Sequence, residues 1–217
     1  IAATVYVHSC GVTHRDIKPE NILLQKARGQ EMWSLKLADF GLAARCSPGQ
    51  FVGGAGTVPY MSPEQLKNSC NETCDVWACG CVLYDLVCGE YLVSADLWGD
   101  RGKTHEFLFS VDYGAKLRLF DERCGSCVAA RDLIRMMLHR SWQNRCSARE
   151  AERHSFLKAR PWMADEVVSS LQENAVAVDA ASLCSQGVSS APEMDAVLVV
   201  DGGDNRTRVG NSCVIVT

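Results

Sequence analysis

The chain has 217 residues, 47% of them hydrophobic, which is ample for the core of one domain with or without a tail. A net charge of −4 and a pI near 5.7 give no reason to expect a nucleic-acid or anionic-membrane partner. No run of about eighteen apolar residues marks a transmembrane helix, and the first residues lack a charged leader with an apolar stretch and cleavage site, so a cytoplasmic protein is expected, with a nuclear one still open.

In chain order, Ile1 to Val7 is an apolar, helix-like run that Gly11 is suited to stop. The block His14-Arg15-Asp16-Ile17-Lys18-Pro19-Glu20-Asn21 follows. Ile22-Leu23-Leu24 reads as a short buried strand, and the polar interval from Gln25 to Ser34 as a surface loop. Leu35-Lys36-Leu37 returns as a second strand and delivers Asp39-Phe40-Gly41, twenty-three residues after Asp16. Then come Gly56-Thr57-Val58-Pro59-Tyr60-Met61-Ser62-Pro63-Glu64 and Asp75-Val76-Trp77-Ala78-Cys79-Gly80.

These four ordered motifs resemble the eukaryotic protein kinases. The resemblance covers residues 1 to 160 and implies a mainly α fold with a few short β-strands, the C-terminal lobe of a kinase. It also implies ATP and Mg²⁺ as cofactors and proteins as substrates. Phosphoryl transfer needs a carboxylate to orient the acceptor hydroxyl, an ammonium beside the moving phosphate, and an amide with a second carboxylate for the metal. By resemblance these are Asp16, Lys18, Asn21 and Asp39, with Thr57 bonded to the aspartate and lysine. Lys18, Glu20, Asn21, Leu23 and Asp39 would face the nucleotide, Leu23 beneath its adenine, and Asn21 and Asp39 would be the metal ligands.

The supporting positions follow the same resemblance. His14 and Phe40 would stack in an apolar spine, and Arg15 would be the arginine that reads a phosphate on the activation segment. Gly41 completes the metal loop. Glu64 is expected to be buried against Arg145, since a buried charge without a partner costs several kcal/mol. A core helix is predicted over Asp75 to Cys88, apolar on nearly all faces, with Asp75 as its cap and as an anchor for the backbone of His14 and Arg15. The family's usual phosphosite position is Gly53 here, which leaves Ser47, before Pro48, as the candidate regulatory site.

Asp96 to Phe120 matches no trusted motif, whereas Val128 to Leu138 predicts an amphipathic helix with Leu133, Ile134, Met137 and Leu138 inward. The segment 161–217 reads as a weakly ordered tail. The twelve cysteines, including Cys124-Gly125-Ser126-Cys127, are expected to be packing residues and loop thiols.

Lys18 two residues after Asp16, followed by Pro19-Glu20-Asn21, resembles serine/threonine kinases. Met61-Ser62-Pro63-Glu64 with Gly80 to Leu86 is similar to the NIMA-related kinases. Glu20 and Asp85 stand where basophilic kinases meet a substrate arginine. The Gly-x-Gly-x-x-Gly loop, strand lysine and helix glutamate of the small N-terminal lobe are not found in 1–217, and Gly53-Gly54-Ala55-Gly56 does not fit that loop's spacing. The expectation is therefore a large lobe given without its nucleotide lid, weak in ATP binding by itself. A kinase-like fragment or pseudokinase acting as a binding scaffold is the alternative.

Overall fold

The computed structural model describes residues 1–26, 33–46 and 48–158; Ser47 and the predicted tail from 161 onward lie outside the described residues. Helices dominate and the strands are few and short. The first helix, α1 (Ala2–Ser9), ends at Cys10, and Gly11 turns the chain at φ +67°, a left-handed conformation that glycine adopts without steric cost. Two antiparallel ribbons flank the next stretch. Strand β1 (Val12–Thr13) pairs with β4 (Ala44–Arg45), and β2 (Ile22–Lys26) with β3 (Trp33–Leu37), Ile22 opposite Leu37.

The second ribbon corrects the prediction of a buried strand. Leu24 and Leu35 lie opposite each other and are each 65% exposed, while Leu37 is buried. Residues two apart in a strand share a face. The core covers the Ile22–Leu37 end of that face, and the ribbon then runs out past it.

Ser62 caps the short helix α2 (Pro63–Leu66) in a capping box with Gln65. Helix α3 (Thr73–Cys88) is the centre of the core, with Val76, Trp77, Cys81 and Tyr84 all buried. It begins two residues before the predicted start, so Asp75 falls in the first turn and is not its cap. Asn71 caps it instead, accepting from the amide and hydroxyl of Thr73. Asp75 is thereby released for contacts outside the helix.

Around α3 pack α4 (Arg101–Leu108), α5 (Val111–Arg123), α6 (Val128–Met137), α7 (Ala148–Glu152) and α8 (Ser155–Lys158). Trp77 stacks on Tyr113 of α5 at 6.1 Å and Tyr84 on Phe120 at 6.0 Å. Helix α6 buries Ala130, Leu133, Ile134 and Met137, the face its periodicity predicts. Gly80 permits its approach: a Cβ there would meet Leu138 Cδ2 at 2.8 Å and Met137 Cβ at 3.1 Å. Helices α4 and α5 occupy the stretch without motifs, started by the side chains of Asp100 and Ser110. No described helix is long and apolar enough to cross a membrane.

No disulfide joins the cysteines among the described residues. Burial pushes the thiols of Cys74 and Cys81 well up and that of Cys124 up to about 12, so they are protonated near neutral pH and act as small apolar side chains.

Candidate active site

The loop between β1 and β2 is fixed first through its backbone. Asp75, 1% exposed, accepts from the amides of His14 and Arg15, each at 2.8 Å, one to each carboxylate oxygen. His8 of α1 adds a third contact, Nε2 at 2.8 Å from Asp75 Oδ2. One carboxylate thus joins α1, the loop and α3. His14 is fully buried, its Nε2 3.0 Å from the carbonyl of Ala38 and its ring edge-on to Phe40 at 4.7 Å. Arg15 sits at φ +69° and points its guanidinium into the activation segment.

Asp16 is buried, and its carboxylate is held on both sides. Thr57 donates to Oδ1 through its amide and its hydroxyl, both at 2.7 Å. Lys18 Nζ lies 3.1 Å from Oδ2 and donates to Thr57 Oγ1 at 2.9 Å. Asn21 Nδ2 donates to the Asp16 carbonyl at 2.8 Å and to Oδ2 at 3.3 Å. A carboxylate gripped by an ammonium and several donors has one orientation.

The amide of Ala38 donates to the Asn21 carbonyl at 2.9 Å, which seats Asp39 beside the loop. Asp39 is exposed, in the left-handed region at φ +62°, with Oδ1 accepting from the amide of Gly41 at 3.1 Å. A Cβ on Gly41 would press on that oxygen at 3.1 Å, so glycine keeps the turn open. Asn21 commits its Nδ2 to Asp16, which leaves its amide oxygen as a donor toward a cation. Oxygen donors of this kind suit Mg²⁺. Leu23, on β2 directly after this cluster, is half-buried.

Asp16, Lys18, Asn21 and Thr57 are therefore brought together, Asp39 follows the backbone bond from Ala38 to Asn21, and Glu20 is exposed. Asp85 is not the solvated charge expected of a substrate-facing residue. Its Oδ1 accepts from the Leu92 amide at 3.2 Å and its Oδ2 from the Tyr60 hydroxyl at 3.2 Å. Burial, with the nearby charge of Glu20 adding to it, raises its pKa from 3.8 to about 7. The Tyr60 phenol is raised too, by burial and then by Asp85.

The stretch 42–56 is held by contacts to other described residues. Arg15 donates to the carbonyls of Leu42 and Gly53, each at 2.6 Å. Val52 pairs with Cys70 in an isolated bridge, and Phe51 meets Trp142 edge-on at 5.0 Å. Below it, Arg145 grips Glu64 in a two-point pair at 2.6 and 2.9 Å and donates to the carbonyls of His139 and Thr73. Its guanidinium lies 5.1 Å from the centre of the Trp77 ring.

Sequence reasoning missed His8, Tyr60 and Gln65. Only Gln65 left a trace, as the fourth residue of the capping pattern Ser62-Pro63-Glu64-Gln65. An open groove of about 740 Å³ lined by Leu97, Phe107 and Leu119 shares no residue with the Asp16 cluster.

The protein kinase domain family matches residues 1–157. The serine/threonine-protein kinase PEPKR2 of Arabidopsis thaliana is 38% identical over 161 residues, 73% of this chain and 30% of that protein. Calcium-dependent protein kinase 12 of Arabidopsis thaliana is 35% identical, covering 75% of this chain and 30% of the relative, and calcium-dependent protein kinase 10 of Oryza sativa subsp. japonica is 36% identical, covering 72% and 24%. The chain spans less than a third of the length of these curated relatives. With the family matched over most of its length, the chain belongs to the protein kinase family.

Proposed function

We propose that the whole protein transfers the γ-phosphoryl group of ATP to serine or threonine hydroxyls of protein substrates, and that residues 1–158 carry the acceptor side of that site. The observation that carries this reading is the fixed Asp16 carboxylate, held by Thr57 at Oδ1 and by Lys18 and Asn21 at Oδ2. Asp16 orients the acceptor hydroxyl and receives its proton. Lys18 stands beside it as the cation that offsets charge on the γ-phosphate. Asn21 and Asp39 would hold Mg²⁺, which when bound neutralises the phosphates. The rest is positioning and electrostatics. In this reading a small lobe of the whole protein covers the nucleotide, and Leu23 meets the adenine from below.

The test is transfer of label from γ-labelled ATP with Mg²⁺ to serine- or threonine-containing peptides by the whole protein. Label on those residues, lost in Asp16→Asn, is expected. A protein that binds partners but transfers no label is the scaffold alternative and overturns the proposal.

Two finer readings belong to the same proposal. Glu20 and Asp85 stand where basophilic kinases meet a substrate arginine; Glu20 is exposed while Asp85 is engaged by Tyr60 and Leu92, so a basic residue upstream of the acceptor is favoured chiefly through Glu20. A peptide array indifferent to upstream arginine removes this idea. Ser47 is the proposed regulatory phosphosite, and phosphosite mapping that finds an essential phosphate elsewhere in the segment removes that one. The similarity of Met61-Ser62-Pro63-Glu64 to NIMA-related kinases concerns subfamily alone, and the proposed chemistry does not depend on it.

A further inference from the structure

The glycine-rich stretch Gly53-Gly54-Ala55-Gly56 is unexplained by any nucleotide loop, and the structure gives it another purpose. It passes between the backbone of Arg15 and helix α2. A Cβ on Gly56 would fall inside contact distance of the Arg15 carbonyl and 2.9 Å from Gln65 Nε2, and one on Gly54 would overlap the Gln65 carbonyl and meet Asn68 Cα at 2.9 Å. The approach is closed by Gln65, which is 2% exposed. Its Nε2 donates to the Arg15 carbonyl at 2.8 Å and to the Ala55 carbonyl, and its Oε1 accepts from the Ser62 amide at 3.3 Å. One buried amide therefore ties three segments together: the catalytic loop one residue before Asp16, the strip two residues before Thr57, and the start of α2. The link between Asn21 and Asp39 runs instead through the Ala38 amide and does not involve Gln65.

We infer that Gln65 is a positioning residue for the protein substrate: it sets where the 54–57 strip, and through Thr57 the Asp16 carboxylate, meets the chain that carries the acceptor hydroxyl. The inference rests on the kinase reading above. An amide is required because two carbonyls must be served by one side chain, and both hydrogens of a primary amide can do so. Methionine matches its length but leaves both carbonyls unserved, and glutamate opposes them with charge.

The experiment is steady-state kinetics of the whole protein, wild type against Gln65→Met and Gln65→Glu, with peptide and ATP varied separately. Hydrogen exchange of residues 53–57 is measured in parallel. Wild-type protein that phosphorylates no peptide overturns the kinase reading and this inference with it. With active wild type, the expected result is a fall of about tenfold or more in kcat/KM for the peptide in Gln65→Met, with a raised peptide KM. Gln65→Glu should lose more, the KM for ATP should stay within about twofold, and exchange at 55–57 should quicken. A variant that merely folds less well loses kcat with both KM values unchanged, and that outcome overturns the inference. So does faster exchange with an unaltered peptide KM.

Discussion

Thr57 reaches a single oxygen of Asp16 twice, through its amide nitrogen and through its hydroxyl, each at 2.7 Å. The backbone contact survives any substitution at 57 except proline, whereas the hydroxyl contact, and with it the Lys18 contact, survives only in serine. Thr57→Val should therefore lower kcat by about tenfold to a hundredfold, the worth of a hydrogen bond to a charged group. Thr57→Ser should remain within about threefold. Peptide phosphorylation at saturating ATP checks both.

The Glu64–Arg145 pair is buried, and removing one partner strands the other. Arg145→Ala should cost about 3–5 kcal/mol, read as a lower urea midpoint. Arg145→Lys should recover little of this, because a single ammonium cannot serve Glu64, His139 and Thr73 in the directions the guanidinium does.

Asp85 ties stability to pH. Its folded pKa of about 7 lies above the model-peptide value of 3.8, so the folded chain holds the proton more tightly than the unfolded one. The cost of ionising it is absent below about pH 4, where both states are protonated, grows as pH rises toward 7, and is complete above that. Asp85→Asn removes this cost and keeps an oxygen for the Leu92 amide. The stability of the variant relative to wild type should rise between pH 5 and pH 8, as measured by chemical denaturation at both values.

Asp75→Asn should be damaging in two ways. The amide can accept through one atom only, so one of the His14 and Arg15 amides loses its partner, at a cost of about 2–4 kcal/mol. Because those amides hold the loop that carries Asp16, kcat should fall as well. Urea denaturation and peptide kinetics on the same preparation test the two losses together.

The parts of the molecule legible in the sequence are those where chemistry or burial leaves few choices. Asp16, Lys18 and Asn21 stand within one short motif and meet in the fold as their spacing implies, and α3 and α6 carry apolar faces that only a core explains. What escaped was decided by tertiary contacts. Helices α4 and α5 contain Gly102 and Gly114, Val111 is exposed at the start of α5 and Phe109 just beyond the end of α4, so neither propensity nor periodicity announces them. Asp75 looks like a cap by its place near a helix start, yet Asn71 supplies the cap and the carboxylate turns outward to the loop. Leu24 reads as core because leucine usually is, yet it is 65% exposed. A glutamine such as Gln65 gives no hint of which carbonyls it will serve.

The threefold junction at Asp75 has a consequence for how this chain changes under selection. The same two oxygen atoms secure the central helix and aim the loop, so a library sorted only for soluble, protease-resistant protein would enrich well-aimed loops without any assay for turnover. Drift at His8, which bears on the loop through Asp75, would be filtered by the same sieve.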